Sequence, residues 1–141
     1  MTVTATMTST VANWHDTQRL CFKRSVRPRV LFVDDDPDLR ELIALMLTGE
    51  GFDTDIASNG QDALDKAHEN PPRVIVLDMM MPVMDGWMFR AHQRYCVALA
   101  AIPVVILSGV PREHLGNVGA AAILRKPFDN DQLITAIRAL C

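Results

Sequence analysis

Short apolar segments of strand length alternate with stretches of helical periodicity from residue 29 onward, and this alternation constrains the fold more than any other feature. The apolar segments are Val30–Val33, Asp55–Ala57, Val74–Leu77, Val104–Leu107 and Ala121–Leu124. Strands that alternate with helices predict βαβ units and a parallel sheet. Val74–Leu77 is apolar throughout, as expected for a strand that helices cover on both faces. Because βαβ crossovers are right-handed, five such units predict an α/β, doubly wound open sheet.

The helical stretches carry start and stop signals. Asp36 and Pro37 suit the N-cap and first position of a helix that ends at Gly49 or Gly51. We expect one face of this helix to hold Leu39, Leu42, Ile43, Leu45 and Met46. Further helices are predicted over residues 61–69 and 87–97, in a short stretch over residues 112–118, and from residue 129 onward with Leu133, Ile134, Ile137 and Leu140 inward.

The net charge of -3 at pH 7 divides unevenly along the 141 residues. Residues 1–29 hold five basic groups and one acid, a net of +4, and the rest hold nine basic and sixteen acidic groups, a net of -7. Binding to nucleic acid requires clustered Lys and Arg. We therefore expect no direct nucleic-acid partner for the body of the chain.

Cysteine usage and hydropathy indicate a cytoplasmic protein. The three cysteines form no metal-ligand spacing, and their odd count does not suggest a disulfide framework. No apolar run approaches the roughly 18–20 residues that span a bilayer, so no membrane association is expected. We interpret residues 1–27 as a basic, flexible N-terminal extension, with a transit peptide or a true start at Met7 as the alternatives.

Polar residues that suit one chemistry follow the predicted strands. Asp34 and Asp35 follow the first strand, Asp78 the third, Ser108 the fourth and Lys126 the fifth. Ligands of open parallel sheets bind beyond the carboxyl ends of the strands, where the strand order reverses. In the order 2-1-3-4-5, the first and third strands are neighbours, so Asp35 and Asp78 face each other.

Carboxylates that lie so close repel unless a cation intervenes. Mg²⁺ takes one or two carboxylates and shares phosphate oxygens, so this pattern points to phosphate chemistry. Phosphoryl transfer needs positioning and charge neutralisation, for which Lys126 and the Ser108 hydroxyl are suited. An aspartate carboxylate can serve as the nucleophile and form an acyl phosphate.

Four segments together resemble the receiver domain of two-component response regulators. They occur in order over most of the chain: VLFVDDDPDLR (Val30–Arg40), VIVLDMMMPVMDG (Val74–Gly86), PVVILSG (Pro103–Gly109) and LRKPF (Leu124–Phe128). The resemblance implies a flavodoxin-like (βα)5 receiver domain over residues 28–141. It also implies that Asp78 accepts phosphate from a phosphohistidine, and that Asp34 and Asp35 bind Mg²⁺ with the main-chain carbonyl of Met80 and with Asp78 itself.

The same resemblance implies roles for residues near the fourth and fifth strands, and this chain differs there from the usual family pattern at two points. Lys126 and Ser108 are expected to contact the phosphoryl group, and Lys126–Pro127 to be a cis peptide. Ile123 stands where many members have Tyr or Phe, so the usual aromatic readout is not expected. The segment from Ser108 to Lys126 is short, which predicts a truncated fourth helix.

Other interpretations of these residues are weaker. The Asp34–Asp36 run alone is typical of a solvated loop and cap, and we assign Asp36 only a cap. Met79–Met81 resembles a thioether copper cluster, but neither His nor Cys lies beside it in sequence. A phosphohydrolase with an Asp nucleophile typically has an acid at the position of Met80, and flavin binding requires a phosphate-cradling loop where the aspartates stand.

The predicted function is therefore a phosphorylation switch and not a separate enzyme. The donor is expected to be a sensor histidine kinase or a histidine phosphotransfer protein. Because the sequence ends after the last predicted helix, we expect output by docking to an unknown downstream protein or by onward relay. A receiver-like module that binds constitutively is the alternative, and it predicts a damaged acidic pocket. Met80 and Val110 flank the acceptor and cannot hydrogen-bond water, which predicts slow self-dephosphorylation.

Overall fold

The structure is a computed structural model that describes residues 27–141. The predicted extension over residues 1–27, apart from Arg27, lies outside the described residues, as do Trp14, His15 and Cys21. Within residues 27–141, no helix combines the length and apolar character that crossing a bilayer requires.

Five strands and four α-helices alternate along the described chain. The strands are β1 (Arg29–Val33), β2 (Asp53–Ala57), β3 (Val74–Asp78), β4 (Val104–Ser108) and β5 (Ala122–Arg125). The helices are α1 (Pro37–Gly49), α2 (Gly60–Glu69), α3 (Gly86–Tyr95) and α4 (Asn130–Leu140). A 3₁₀ turn, Arg112–His114, lies between β4 and β5.

All neighbouring strands are parallel, and the sheet has the order β2-β1-β3-β4-β5. This is the predicted 2-1-3-4-5 order of a flavodoxin-like sheet. Val33 pairs with Leu77, so the chain places the next residues, Asp34 and Asp78, side by side beyond the strand ends. The topology therefore brings the two carboxylates together before any side-chain contact is considered.

The two faces of the sheet bury separate apolar cores because side chains alternate along each strand. On one face, Leu31 and Val33 pack with residues of α2 and α3, including Phe89. On the other, Val30 and Phe32 pack with residues of α1 and α4. Burying each large apolar side chain stabilises the fold by about 1.5–3 kcal/mol relative to leaving it exposed.

Helix α1 begins and ends as predicted, but the prediction of which of its residues face inward was partly wrong. Asp36 caps α1 by accepting hydrogen bonds from the N–H groups of Asp38 and Leu39. Ile43 and Leu47 are buried, whereas Leu42 and Leu45 are 60% and 69% exposed. Five apolar positions cover more than one stripe of a helix, so two of the predicted inward residues point to solvent.

The prediction of a helix over residues 112–118 was also wrong, although a shortened helix between β4 and β5 was expected. Only Arg112–His114 form a turn, of the 3₁₀ type. Gly116 and Gly119 then adopt positive φ angles of 73° and 63°, which interrupt a right-handed helix. Helix α3 ends at Tyr95, two residues before the predicted end.

Candidate phosphoryl-acceptor site

Three carboxylates converge at the carboxyl edge of the sheet. Asp34 and Asp35 follow β1, and Asp78 is the last residue of β3. One oxygen from each lies within 4.8 Å of the others, and among residues 27–141 these three form the group of acidic, His or Cys side chains that can hold a metal ion. Asp34 and Asp78 are buried, whereas Asp35 is exposed. The cluster is thus accessible from one side.

Asp34 is fixed by hydrogen bonds on both its main chain and its side chain. Its N–H donates to the Ala57 carbonyl at 3.1 Å, and its own carbonyl accepts from Arg40 Nη1 at 2.8 Å. Its Oδ1 accepts from the Asp36 N–H at 3.0 Å, and its Oδ2 from Lys126 Nζ at 3.1 Å. These contacts hold the carboxylate at the edge of the sheet with little rotational freedom.

The Asp78 carboxyl is electrostatically strained. Burial raises its pKa, and the nearby charge of Asp34 raises it further. The Lys126 charge, 3.4 Å from Oδ2, and a hydrogen bond of 3.2 Å from the Met80 N–H to Oδ1 oppose this rise without cancelling it. An additional cation would relieve the repulsion and favour the ionised, nucleophilic form.

Lys126 supplies a cation to both buried carboxylates. Burial by itself lowers the pKa of its ammonium, but the hydrogen bond to Asp34 and the charges of Asp78 and Asp34 outweigh burial and raise it. The peptide bond between Lys126 and Pro127 is cis, as the resemblance implied. The Lys126 N–H donates to the Ser108 carbonyl at 2.8 Å, so the ends of β4 and β5 are joined next to the cluster.

Ser108 lies buried at the end of β4, but its hydroxyl is engaged locally. Ser108 Oγ accepts from the Val110 N–H at 3.0 Å and donates to the Val110 carbonyl at 3.2 Å. The hydroxyl therefore closes a turn in this structure. Donation to a group on Asp78 requires the hydroxyl to give up its bond to the Val110 carbonyl.

The loop after β3 is packed tightly against the end of that strand. The Gly86 N–H donates to the Met79 carbonyl at 3.0 Å, and a Cβ at Gly86 would lie 2.7 Å from the Met79 Cα, which only glycine avoids. Within this loop, Met80 and Val83 are 58% and 81% exposed. Val83 has a φ of 72°, a strained conformation for a β-branched residue.

Sequence reasoning missed three features of this region. Arg40 binds the Asp34 carbonyl, although in sequence it looks like an ordinary helix-surface residue. Val83 carries no sequence signal for a positive φ, because glycine or asparagine is the usual indicator. The buried Arg90 also escaped notice, since an arginine at a helical position is more often exposed.

The comparisons with known proteins agree with this geometry. Residues 30–138 match the family described as the response regulator receiver domain. This chain belongs to that family. Receiver domains act in two-component systems, where they interact with histidine kinases or phosphotransfer proteins.

Curated relatives include regulators from several bacteria. The DNA-binding response regulator MtrA of Mycolicibacterium smegmatis is 36% identical over 119 residues, which make up 82% of this chain and 51% of MtrA. Response regulator Rre1 of Synechocystis is 34% identical over 116 residues, covering 79% of this chain and 50% of Rre1. The receiver-domain chain thus spans about half the length of these relatives.

Solved receiver structures superpose over nearly their whole length. The chemotaxis response regulator CheY4 of Vibrio cholerae matches with a TM-score of 0.75 and 28% identity, covering 82% of this chain and 100% of CheY4. The receiver domain of Francisella response regulator 1452 matches with a TM-score of 0.74 and 34% identity, covering 80% and 95% of the two chains. The receiver fold is therefore shown by sequence and by structure.

Proposed function

We propose that this receiver domain accepts a phosphoryl group on Asp78 from the phosphohistidine of a sensor histidine kinase or histidine phosphotransfer protein. The observation that carries the proposal is the cluster of Asp34, Asp35 and Asp78 oxygens within 4.8 Å of one another, with Lys126 Nζ 3.1 Å from Asp34 and 3.4 Å from Asp78. A constitutive docking module has no physical need for this strained arrangement.

The donor set suits Mg²⁺. Hard divalent cations prefer oxygen ligands, and Mg²⁺ in phosphate sites keeps several waters beside one or two carboxylates. We propose that Asp34, Asp35, Asp78 and the main-chain carbonyl of Met80 hold the ion. When bound, Mg²⁺ supplies positive charge next to the acceptor and to the phosphoryl oxygens.

The residues of the chain then divide the transfer between them. An Asp78 oxygen attacks phosphorus as the P–N bond to the donor imidazole breaks, and the leaving imidazole takes a proton from the surroundings. Lys126 neutralises charge on the phosphoryl oxygens, and the Met80 N–H holds Asp78 Oδ1 in place. The Ser108 hydroxyl leaves Val110 and donates to a phosphoryl oxygen, which gives the phosphorylated state a different local structure.

Output is proposed to occur by docking to a downstream protein or by onward relay in the cytoplasm. The relative MtrA is named a DNA-binding regulator, but the match to this chain covers only about half of MtrA. Residues 30–141 carry a net charge of -7, which disfavours direct contact with nucleic acid. Ile123 is partly buried against the core that contains Phe89, so the shift on phosphorylation is steric and does not use an aromatic rotamer.

Intact mass after incubation with acetyl phosphate tests this function. The expected result is one phosphoryl adduct that requires Mg²⁺ and is lost in Asp78→Asn. Asp36→Asn is the matched control, because Asp36 belongs to the same acidic run but only caps α1, and it is expected to keep the adduct. An adduct that persists in Asp78→Asn, or that forms equally well in EDTA, would contradict the proposal.

A further inference from the structure

Three side chains of α3 donate hydrogen bonds to the connection between β4 and β5, residues 109–121, which we call the β4–β5 segment. Trp87, Arg90 and Arg94 lie at spacings of three and four residues, so they share one face of α3. Each donates hydrogen bonds to main-chain carbonyls within residues 115–119. We name these three residues the α3 clamp.

Arg90 forms the buried centre of the clamp. Its Nε and Nη2 donate to the Val118 carbonyl at 2.9 and 2.7 Å, and Nη2 also donates to the Gly119 carbonyl at 3.0 Å. Its Nη1 donates to Gln93 Oε1 at 2.6 Å. None of the ion pairs among residues 27–141 includes Arg90, which is 8% exposed. The stabilisation of this buried cation thus depends on where the segment places its carbonyl oxygens.

The outer residues of the clamp bind carbonyls that precede those bound by Arg90. Trp87 Nε1 donates to the Leu115 carbonyl at 3.0 Å, and Arg94 Nη2 donates to the Asn117 carbonyl at 3.1 Å. Gly119, with a φ of 63°, fits closely: a Cβ there would lie 3.1 Å from Arg94 Nη2 and 3.2 Å from Arg90 Nη2. Bonds that involve a charged donor are about twice as strong as neutral ones, so segment and helix are expected to move as one body.

The segment begins at the turn that phosphorylation is expected to change. Ser108 and Val110 exchange two hydrogen bonds at its start. At its other end, the Ala121 N–H donates to the Val104 carbonyl at 2.9 Å, which anchors the return to the sheet. Once the Ser108 hydroxyl turns toward a phosphoryl group, the start of the segment is released while its end stays fixed. The resulting shift falls on residues between these points, where the α3 clamp is attached.

We propose that the α3 clamp transmits the phosphorylation state of Asp78 to the C-terminal half of α3, with Arg90 as the positioning residue of this output. The inference rests on the proposed function of Asp78. This domain has Ile123 in place of an aromatic residue and a 3₁₀ turn in place of a helix between β4 and β5. The α3 clamp explains how phosphorylation of Asp78 can still change the structure at a distance from the site. Helix α3 takes the role of the moving element.

The test compares nuclear magnetic resonance spectra of the full chain before and after treatment with acetyl phosphate and Mg²⁺. Intact mass gives the phosphorylated fraction of the same sample. Trp14→Phe leaves Trp87 as the one indole of the chain, because the sequence contains two tryptophans. The expected result is a second indole signal and second amide signals for residues 93–96, each with an intensity equal to the phosphorylated fraction.

Substitution of Arg90 separates transmission from phosphorylation. Arg90→Met is expected to keep the phosphorylated fraction and the changes at Ser108–Val110, and to lose the second amide signals of residues 93–96. Arg90→Lys keeps the charge without the planar guanidinium and is expected to restore them in part. His92→Gln, at an exposed position of α3, is the control and is expected to behave as wild type.

Trp87→Phe covers the case in which Arg90→Met fails to fold, because it removes one partly buried donor and keeps an aromatic side chain. It is expected to weaken the changes at residues 93–96. An adduct without these changes in wild type overturns the inference, as do unchanged signals in both clamp variants. Absence of an adduct overturns the proposed function of Asp78 and the inference with it.

Discussion

Removing the charge of Asp78 is expected to stabilise the folded domain at neutral pH when no divalent cation is present. Burial, assisted by the Asp34 charge, raises the pKa of this carboxyl. A carboxyl with a raised pKa binds its proton more readily in the folded state, so its ionised form opposes folding above the folded pKa. Asp78→Asn keeps the size of the side chain and removes this opposition.

The magnitude follows from the charges around Asp78. Lys126 Nζ lies 3.4 Å from Oδ2, and at an effective dielectric constant of about 20 this attraction is roughly 5 kcal/mol. Asp34 has an oxygen within 4.8 Å, and its repulsion is roughly 3.5 kcal/mol on the same scale. Exposed Asp35 adds a smaller, screened repulsion. These attractions and repulsions nearly cancel, so the cost of desolvating the carboxylate decides whether its charge stabilises or destabilises the fold. Because Asp78→Asn removes that cost, it is expected to raise the free energy of unfolding by about 1–2 kcal/mol.

Thermal unfolding of wild type and Asp78→Asn provides the assay. In EDTA, the variant is expected to melt about 5 °C higher. In excess Mg²⁺, the order reverses, because the wild type gains binding free energy and the variant lacks a ligand. As the pH falls through the raised pKa of Asp78, the wild type takes up the proton and the advantage of the variant disappears.

Asp36→Asn controls for a general charge effect, since Asn also serves as an N-cap, and its melting temperature is expected to stay close to that of wild type. A variant Asp78→Asn that is less stable than wild type in EDTA at neutral pH would refute the reasoning. That result would mean that the Lys126 ion pair outweighs burial and repulsion together.

Three further changes test other parts of the account. Val83→Gly is expected to raise the free energy of unfolding by about 0.5–1 kcal/mol in urea titrations, because it relieves a positive φ at an exposed site. Val97→Gly, at an exposed site without a positive φ, should lower the free energy of unfolding. Met80→Asn is expected to speed decay of the phosphorylated form followed by intact mass, since an amide can hydrogen-bond an attacking water; an unchanged rate would contradict the predicted slow self-dephosphorylation. The difference in free energy of unfolding between wild type and Lys126→Met should stay constant at neutral and mildly alkaline pH. It should shrink only above about pH 10.5, because the folded-state pKa of Lys126 is raised above that ordinary value. A difference that already disappears near neutral pH would contradict the ion pairs.

The sheet and its acidic edge followed from sequence because they depend on local patterns. Val74–Leu77 is continuous in apolar character, which indicates a central strand, and Asp78 directly follows it. Once β1 and β3 are neighbours, parallel register alone places Asp34 beside Asp78. The signals that identify strands thus also determine which carboxylates meet.

Features that depend on tertiary contacts were not accessible in the same way. Leu42 and Leu45 fit the helical pattern yet face solvent, because α1 contacts the rest of the molecule along a narrower stripe than its apolar residues occupy. The buried role of Arg90 depends on carbonyls almost 30 residues further along the chain. No spacing within α3 indicates that these carbonyls lack helical partners of their own.

Borohydride trapping of the phosphorylated chain tests the central claim most directly. Borohydride reduces an acyl phosphate to an alcohol, so a phosphorylated aspartate becomes homoserine, which tandem mass spectrometry locates. The expected result is homoserine at Asp78 alone, formed only after treatment with acetyl phosphate and Mg²⁺. Homoserine at Asp34, Asp35 or Asp85, or a stable phosphate on Ser108 without reduction of Asp78, would contradict the assignment of the acceptor.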